Sequence, residues 1–199
     1  MSQFKIEEGP LTGLKLIKPI NVLSNKKEFQ TYNKLELSKQ GFNIDFVQEN
    51  QSVSHYGVLR GMHFQKKHPQ GKLIRVASGK IYDVVVDMRK ESSSYKQWYG
   101  IELSSANMIQ FYIPEGFAHG FLALENETIV IFKVTDFFHP CDEIGFKWND
   151  PEIQINWPIM KNLNNDTEYI TTHGNPVILN WKDRSLPLIS EIDNLRGCE

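Results

Sequence analysis

Lys72 to Met88, KLIRVASGKIYDVVVDM, is the stretch that decides the fold class. Its first half, Lys72 to Ala77, alternates apolar and polar side chains, the period of a strand with one buried face. Ser78-Gly79 is a turn signal. Lys80 to Met88 is rich in β-branched residues, which suit a pleated surface. Read together they predict two strands joined as a hairpin. Further strand-like runs follow outward from it: Trp98 to Leu103, Ile109 to Ile113, Gly120 to Leu124 and Thr128 to Val134. Their spacing of about ten residues predicts an antiparallel barrel or sandwich rather than alternating βα units. The one helical stretch is Asn33 to Gln40, with Gly41 as its C-terminal stop. Beyond Asn149-Asp150-Pro151 the strand pattern fades, and residues 159–175, IMKNLNNDTEYITTHGN, read as loop.

The 199 residues read as one domain, 1–199, whose segment 159–199 is loop-rich. The sum of 22 Lys and Arg against 24 Asp and Glu leaves a net charge of −2, which excludes a nucleic-acid binder driven by overall positive charge. No apolar run is long enough for a membrane-spanning helix. The polar start, MSQFKIEEGP, has no signal-peptide core. Cys141 and Cys198 form neither a disulfide framework nor a zinc pattern, and read as two thiols in a reducing cytoplasm.

Two histidines stand out. His63, in RGMHFQ, is close in sequence to Arg60 and Lys72. Neighbouring cations lower the proton affinity of an imidazole, which suits a base at neutral pH. His119 lies in PEGFAHGF, where Pro114, Gly116 and His119 match the P-x-G-x-x-H spacing of the second cupin motif. Either histidine taken alone reads first as a satisfied structural residue. A metal-binding cupin would also supply an H-x-H pair and a following Glu. Here Phe64 and Gln65 follow His63, and His68 is five residues away beside Pro69, so a metal-free barrel is expected. Arg60, Lys72 and His119 together would suit an anionic ligand such as a diphosphate, although ordinary surface cations have the same composition.

The motifs FVQEN, RGMHFQ, QGKLIRV, IYDVVVDMRKESSSYKQWYGIELSSAN, IPEGFAHGF and WNDPEIQINWP follow one another in order, and KDRSLP comes later. As a group they resemble the dTDP-4-dehydrorhamnose 3,5-epimerase family. The resemblance implies an all-β cupin-type jelly roll with short peripheral helices. It also implies a homodimer with exchanged N-terminal strands, no metal and no other cofactor. The implied substrate is a nucleoside-diphosphate 4-keto-6-deoxy sugar. The implied chemistry is removal of a proton beside the 4-keto group and reprotonation on the other face, at C3, C5 or both.

Carried over residue by residue, the base matches His63 and its orienting carboxylate matches Asp183. The lysine near the developing enolate oxygen matches Lys72. Diphosphate and sugar contacts match Arg60, His119 and Lys182, with Glu143 a further contact. The nucleotide side matches Gln48, Glu49 and Asn50, and the stacking aromatic matches Phe138. Two departures stand out. Phe132 occupies the place of the family's catalytic tyrosine, leaving a water or another hydroxyl, such as that of Tyr112, as candidate proton donor. At the N-terminus, Asn25 and Gln30 fall where the family has a nucleotide-facing arginine and glutamate, which opens the possibility of a base other than thymine. Three readings stand: an epimerase with its donor replaced, a keto-isomerase of the same barrel type, and a non-catalytic sugar-nucleotide binder.

Overall fold

The structure, a computed structural model, describes residues 3–20, 29–162 and 165–194. Fourteen strands are present among them. They are β1 (Phe4–Glu8), β2 (Lys15–Pro19), β3 (Gln48–Ser54), β4 (Val58–Gln65), β5 (Lys72–Ser78), β6 (Lys80–Asp87) and β7 (Trp98–Ser104). The others are β8 (Gln110–Ile113), β9 (Phe117–Ala123), β10 (Thr128–Val134), β11 (Glu143–Gly145), β12 (Ile159–Asn162), β13 (Asn165–Thr171) and β14 (Ile178–Leu179). The first sheet runs β1-β2-β8-β5-β10-β3, and the second β11-β4-β9-β6-β7, with β14 added in parallel beside β4. The two sheets face each other as a cupin-type jelly roll, as the sequence motifs led one to expect.

The hairpin expected over Lys72 to Met88 is corrected. β5 pairs with β8 and β10, whereas β6 pairs with β7 and β9, so the two lie in opposite sheets. Gly79, at φ +78°, carries the chain across, and Thr128 packs where its Cβ would be. Ser78-Gly79 is therefore a corner between sheets. This course lets Ile74 and Val76 of β5 meet Ile81 and Val85 of β6 in one interior cluster, which a side-by-side hairpin does not achieve.

Residues 159–175 are also corrected from loop to structure. β12 and β13 form an antiparallel pair with Ile159 opposite Thr171. The segment's many Asn and Thr residues hid a strand pair that satisfies its own ladder. The chain before and after it covers the outer face of the second sheet with Trp148, Ile153, Trp157, Ile189 and Ile192. Sheet two is thus buried on both faces, which explains why β6 reads as an almost continuous apolar run. On the other side, helix α1 (Lys34–Ser38) is capped by the Asn33 side chain, whose Oδ1 accepts from Glu36 N at 3.1 Å. It buries Leu37 with Phe42 and Tyr112 over the first sheet.

Asp87 closes the end of β6. Its buried carboxylate accepts from Arg89 Nε and Nη2 at 2.8 and 2.7 Å, and from the hydroxyls of Ser92 and Ser94. Burial pushes this carboxyl up, but the Arg89 and serine hydrogen bonds outweigh it and hold the pKa at about 2. A folded value below the ordinary 3.8 means the stabilisation is complete above pH 3.8 and is lost as pH falls towards 2. In denaturant titrations at pH 5 and pH 2.5, the native protein should lose about 1–2 kcal/mol more than Asp87→Asn does. Equal losses would remove Asp87 from the acid response.

Candidate active site

The inward-facing side chains divide the barrel in two. One end is filled by apolar residues such as Phe111, Phe117 and Leu103. The other holds a cavity of about 400 Å³ with Arg60, His63, Lys72, His119 and Glu143 in its wall. A larger groove, about 570 Å³, lies outside the second sheet beside Trp148 and Arg184. It touches Asp183 from behind and has no histidine among its described lining residues, whereas His63 and His119 both line the smaller space.

Strand alternation alone would put Arg60 and His63 on opposite faces, since they are three apart. The structure brings both into the cavity. The pairing of β4 with β9 shifts register between Arg60, opposite Phe121, and His63, opposite His119. Gly61 sits in the irregularity at φ +117°, with its missing Cβ 2.6 Å from where Gly120 Cα lies. Leu59 and Met62 are likewise both turned into the outer cluster. The extra residue of a bulge re-aims the half of the strand that carries His63.

His63 Nε2 lies 2.6 Å from Asp183 Oδ1. Asp183 is completely buried, and the two atoms meet as an ion-pair contact, neither of them having a hydrogen-bond partner. Asp183 reaches this place because β14 runs parallel to β4, Ile178 beside Val58 and Leu179 beside Leu59, and leads into helix α2 (Trp181–Arg184). Asn180 then holds the carboxylate, donating from Nδ2 to Oδ2 at 2.9 Å and accepting from Asp183 N at 2.7 Å. A buried carboxylate on one ring nitrogen fixes the tautomer and leaves the other nitrogen a lone pair. That nitrogen, Nδ1, is 3.9 Å from Glu143 Oε1.

Lys72 enters from β5 in the opposite sheet. Burial lowers its pKa, with Glu143 and Asp83 acting the other way. A lysine so placed gives up its proton more readily than a surface one. His119 Nε2 is 2.9 Å from Asp83 Oδ2, and Asp83 is fully buried. Burial lowers the His119 pKa despite Asp83, and the nearby Lys72 and His63 add to the lowering. Neutral His119 is therefore a hydrogen-bonding group rather than a fixed cation at neutral pH. Asp83 was not singled out in the sequence, although a lone carboxylate inside the β-branched run IYDVVVD was a usable signal for a buried pair.

Gln48 and Asn50 line the cavity from β3, and Phe132 and Phe138 complete its wall. Two expected residues lie elsewhere. Glu49 falls on the other face of β3, where it pairs with Lys133, because alternate residues of a strand face opposite ways. Lys182 stands on α2 behind Glu143 and pairs with that carboxylate rather than lining the cavity itself. Tyr112 is corrected as a candidate donor. It packs edge-on to Phe42 at 5.0 Å on the outer face of the first sheet, and burial pushes its hydroxyl up to about 12. The sequence alone also passed over Ser52, whose buried Oγ faces the cavity wall without a partner.

A sequence model described as dTDP-4-dehydrorhamnose 3,5-epimerase matches residues 8–191. The epimerase of that name from Methanothermobacter thermautotrophicus is 46% identical over 160 residues, 80% of this chain and 86% of the relative. The chain belongs to the dTDP-4-dehydrorhamnose 3,5-epimerase family. Two solved structures extend the likeness to the whole fold. The Bacillus anthracis epimerase, with TDP and pyrophosphate bound, superposes with a TM-score of 0.81 at 41% identity, covering 94% of this chain and 99% of that one. The Legionella pneumophila epimerase, in complex with dTDP-4-keto-L-rhamnose, gives 0.82 at 32% identity, covering 98% and 99%. This family member is an isomerase of the sugar-nucleotide epimerase class.

Against that family pattern, Phe132 lies in the cavity wall and no tyrosine is among the described residues lining it. Gln30 accepts a hydrogen bond from Asn33 at 2.8 Å, just ahead of α1. Asn25 lies outside the described residues. Among those described, no helix is long and apolar enough to cross a membrane. Cys141 is exposed, and Cys198 is outside the described residues.

Proposed function

We propose that this epimerase inverts a carbon next to the 4-keto group of a nucleoside-diphosphate 4-keto-6-deoxy sugar, with His63 as the base. The observation that carries the reading is the His63–Asp183 contact of 2.6 Å opening into the same cavity as Lys72. The ketone acidifies the hydrogens on C3 and C5, so a positioned base and a stabiliser for the enolate oxygen suffice. Asp183 orients His63, which takes the proton on its free nitrogen. Lys72 faces the enolate oxygen and neutralises it. Arg60 and His119 contact the diphosphate and sugar, with Glu143, held from behind by Lys182, as a further contact. Gln48, Asn50 and the stacking ring of Phe138 serve the nucleotide side; Glu49 faces outward within one chain.

Thymidine diphosphate is the first nucleotide to test, because the relatives' structures hold TDP or a dTDP-sugar. A panel of dTDP-, GDP-, CDP- and UDP-4-keto-6-deoxy sugars in deuterated water, followed by NMR, reads nucleotide, carbon and outcome together. Deuterium at a ring carbon with inversion supports epimerisation. A moved carbonyl would mark a keto-isomerase, and binding without exchange a non-catalytic protein; either result overturns the proposal. None of the steps uses a metal or cofactor.

The assembly is proposed to be a homodimer with N-terminal strands exchanged. Among the described residues, β1 and β3 each pair on one side only, at the two edges of the first sheet. Val47 and Val53 are half exposed at the β3 edge. Open edges of this kind are an aggregation liability unless paired. Light scattering should report about twice the 23.1 kDa chain mass. A monomer at micromolar concentration would contradict the exchange.

A further inference from the structure

We infer that a second site, for a divalent transition-metal ion, lies on the rim of the cavity at His68, Asp136 and His139. One ligand atom from each of these side chains lies within 4.8 Å of the others. The two imidazoles stack with centroids 4.1 Å apart and planes 19° from parallel, and His68 Nδ1 is 4.0 Å from Asp136 Oδ2. Two imidazoles and one carboxylate form a donor set that suits Zn²⁺, with water completing four-coordination. Zinc bonds of about 2.0–2.2 Å require the donors to close to roughly 3.3 Å. Side-chain rotation is enough for that, because the His68 side chain is 51% exposed and that of Asp136 40%.

What distinguishes this cluster from a chance surface group is the buried frame behind it. His68 lies between β4 and β5, whereas Asp136 and His139 lie between β10 and β11. Gln65, only 5% exposed, ties the two connections together. Its Nε2 donates to His68 O at 2.6 Å and to Phe137 O at 3.2 Å, and its Oε1 accepts from His139 N at 2.7 Å. Asp142, 7% exposed, accepts from His68 N at 2.6 Å and from Lys67 N at 2.8 Å. The backbones of both histidines are therefore positioned before any ion arrives. Outer hydrogen bonds of this kind are what make a ligand set precise.

The site is separate from the proton-transfer groups, and its ion touches no reacting atom. Its consequence is mechanical. Phe138 sits between Asp136 and His139 in sequence, and Gln70 follows two residues after His68; both line the cavity. An ion bridging the two connections fastens them to each other and fixes the width of the cavity mouth. The sequence signal was present in HPQ and FFHP, but the two segments are about 70 residues apart, so spacing alone did not join them.

Zinc titrated into the purified full-length protein by calorimetry should bind at one ion per chain with micromolar affinity. His68→Ala and Asp136→Asn change partly exposed side chains and should keep the metal-free melting temperature. Each should weaken zinc binding by at least about tenfold. Hydrogen exchange of the amides at 66–70 and 136–141 should slow with zinc in the native protein and not in the variants. No saturable binding below about 100 µM would overturn the site. Binding of undiminished affinity in both variants would place the ion elsewhere and overturn it too. Unchanged amide exchange in the zinc-bound native protein would overturn the bridging role. These readouts follow the ion and not turnover, so they stand or fall separately from the epimerase reading.

Discussion

His63→Asn lowers turnover by about 10²- to 10⁴-fold and abolishes solvent exchange at the epimerised carbon, the expected result for loss of the base. Asparagine keeps a polar group beside Asp183, so the buried carboxylate is not left wholly without a partner. What it removes is the lone pair on the second ring nitrogen. A competing assignment exists within the same cavity, because His119 also contacts a buried carboxylate, Asp83 at 2.9 Å. The two dyads differ in their surroundings. Burial, Lys72 and His63 all lower the His119 pKa. His119 so enclosed serves as a neutral hydrogen-bonding group. His63 has the opening towards Glu143 and the side chain that is more accessible, 21% against 12%. Near-normal deuterium exchange in a folded His63→Asn protein would transfer the role to His119. Asp183→Asn offers a second reading of the same dyad: it should retain the fold's outline while favouring the wrong tautomer, so exchange should fall with it.

Restoring a hydroxyl through Phe132→Tyr is expected to raise turnover or add a second inversion, with a gain of up to about 10²- to 10⁴-fold at the carbon whose reprotonation is limiting. The position argues for this. Phe132 is on β10, paired with Asn50 of β3 and Ile74 of β5, and so belongs to the sheet opposite His63. Epimerisation needs a donor on the face opposite the base, which is the wall Phe132 occupies. A phenyl ring preserves the shape of that wall and supplies no proton. Tyr112 is turned away to the outside of its sheet and does not substitute. Ser52, two ladder positions along at its pairing with Val130, offers a buried hydroxyl without a hydrogen-bond partner on that wall. The hypothesis is that the native protein inverts one carbon efficiently and the other slowly or not at all. Native inversion of both carbons at rates that Phe132→Tyr does not improve would defeat it. A further variant, Ser52→Ala, shows whether the hydroxyl already present carries the remaining reprotonation.

Strands β5 to β10 and helix α1 were legible in the sequence because their signals are local, whereas β1 to β4 and β11 to β14 carried no pattern that marked them. β-branched runs set β6 and β10, and Asn33 with Gly41 bounded the helix through a cap and a positive φ. The ordered motifs around His63, Lys72 and His119 likewise led to the family and to most of the cavity. Tertiary structure alone decided which sheet each strand joined. β5 and β6 separate at Gly79 because burying Ile74 and Val85 against each other is a non-local gain that no turn dipeptide records. It also decided which way side chains point where alternation breaks. The bulge at Gly61 puts Arg60 and His63 on one wall, while the unbroken pleat of β3 sends Glu49 outward from its neighbours Gln48 and Asn50. Asp183 is the clearest case: its match to a family motif named it, but only the parallel seat of β14 beside β4 carries a residue 120 positions away to within 2.6 Å of His63. Period and capping act over a few residues, whereas register and chain return depend on what the whole core can bury, and a linear pattern does not contain that choice.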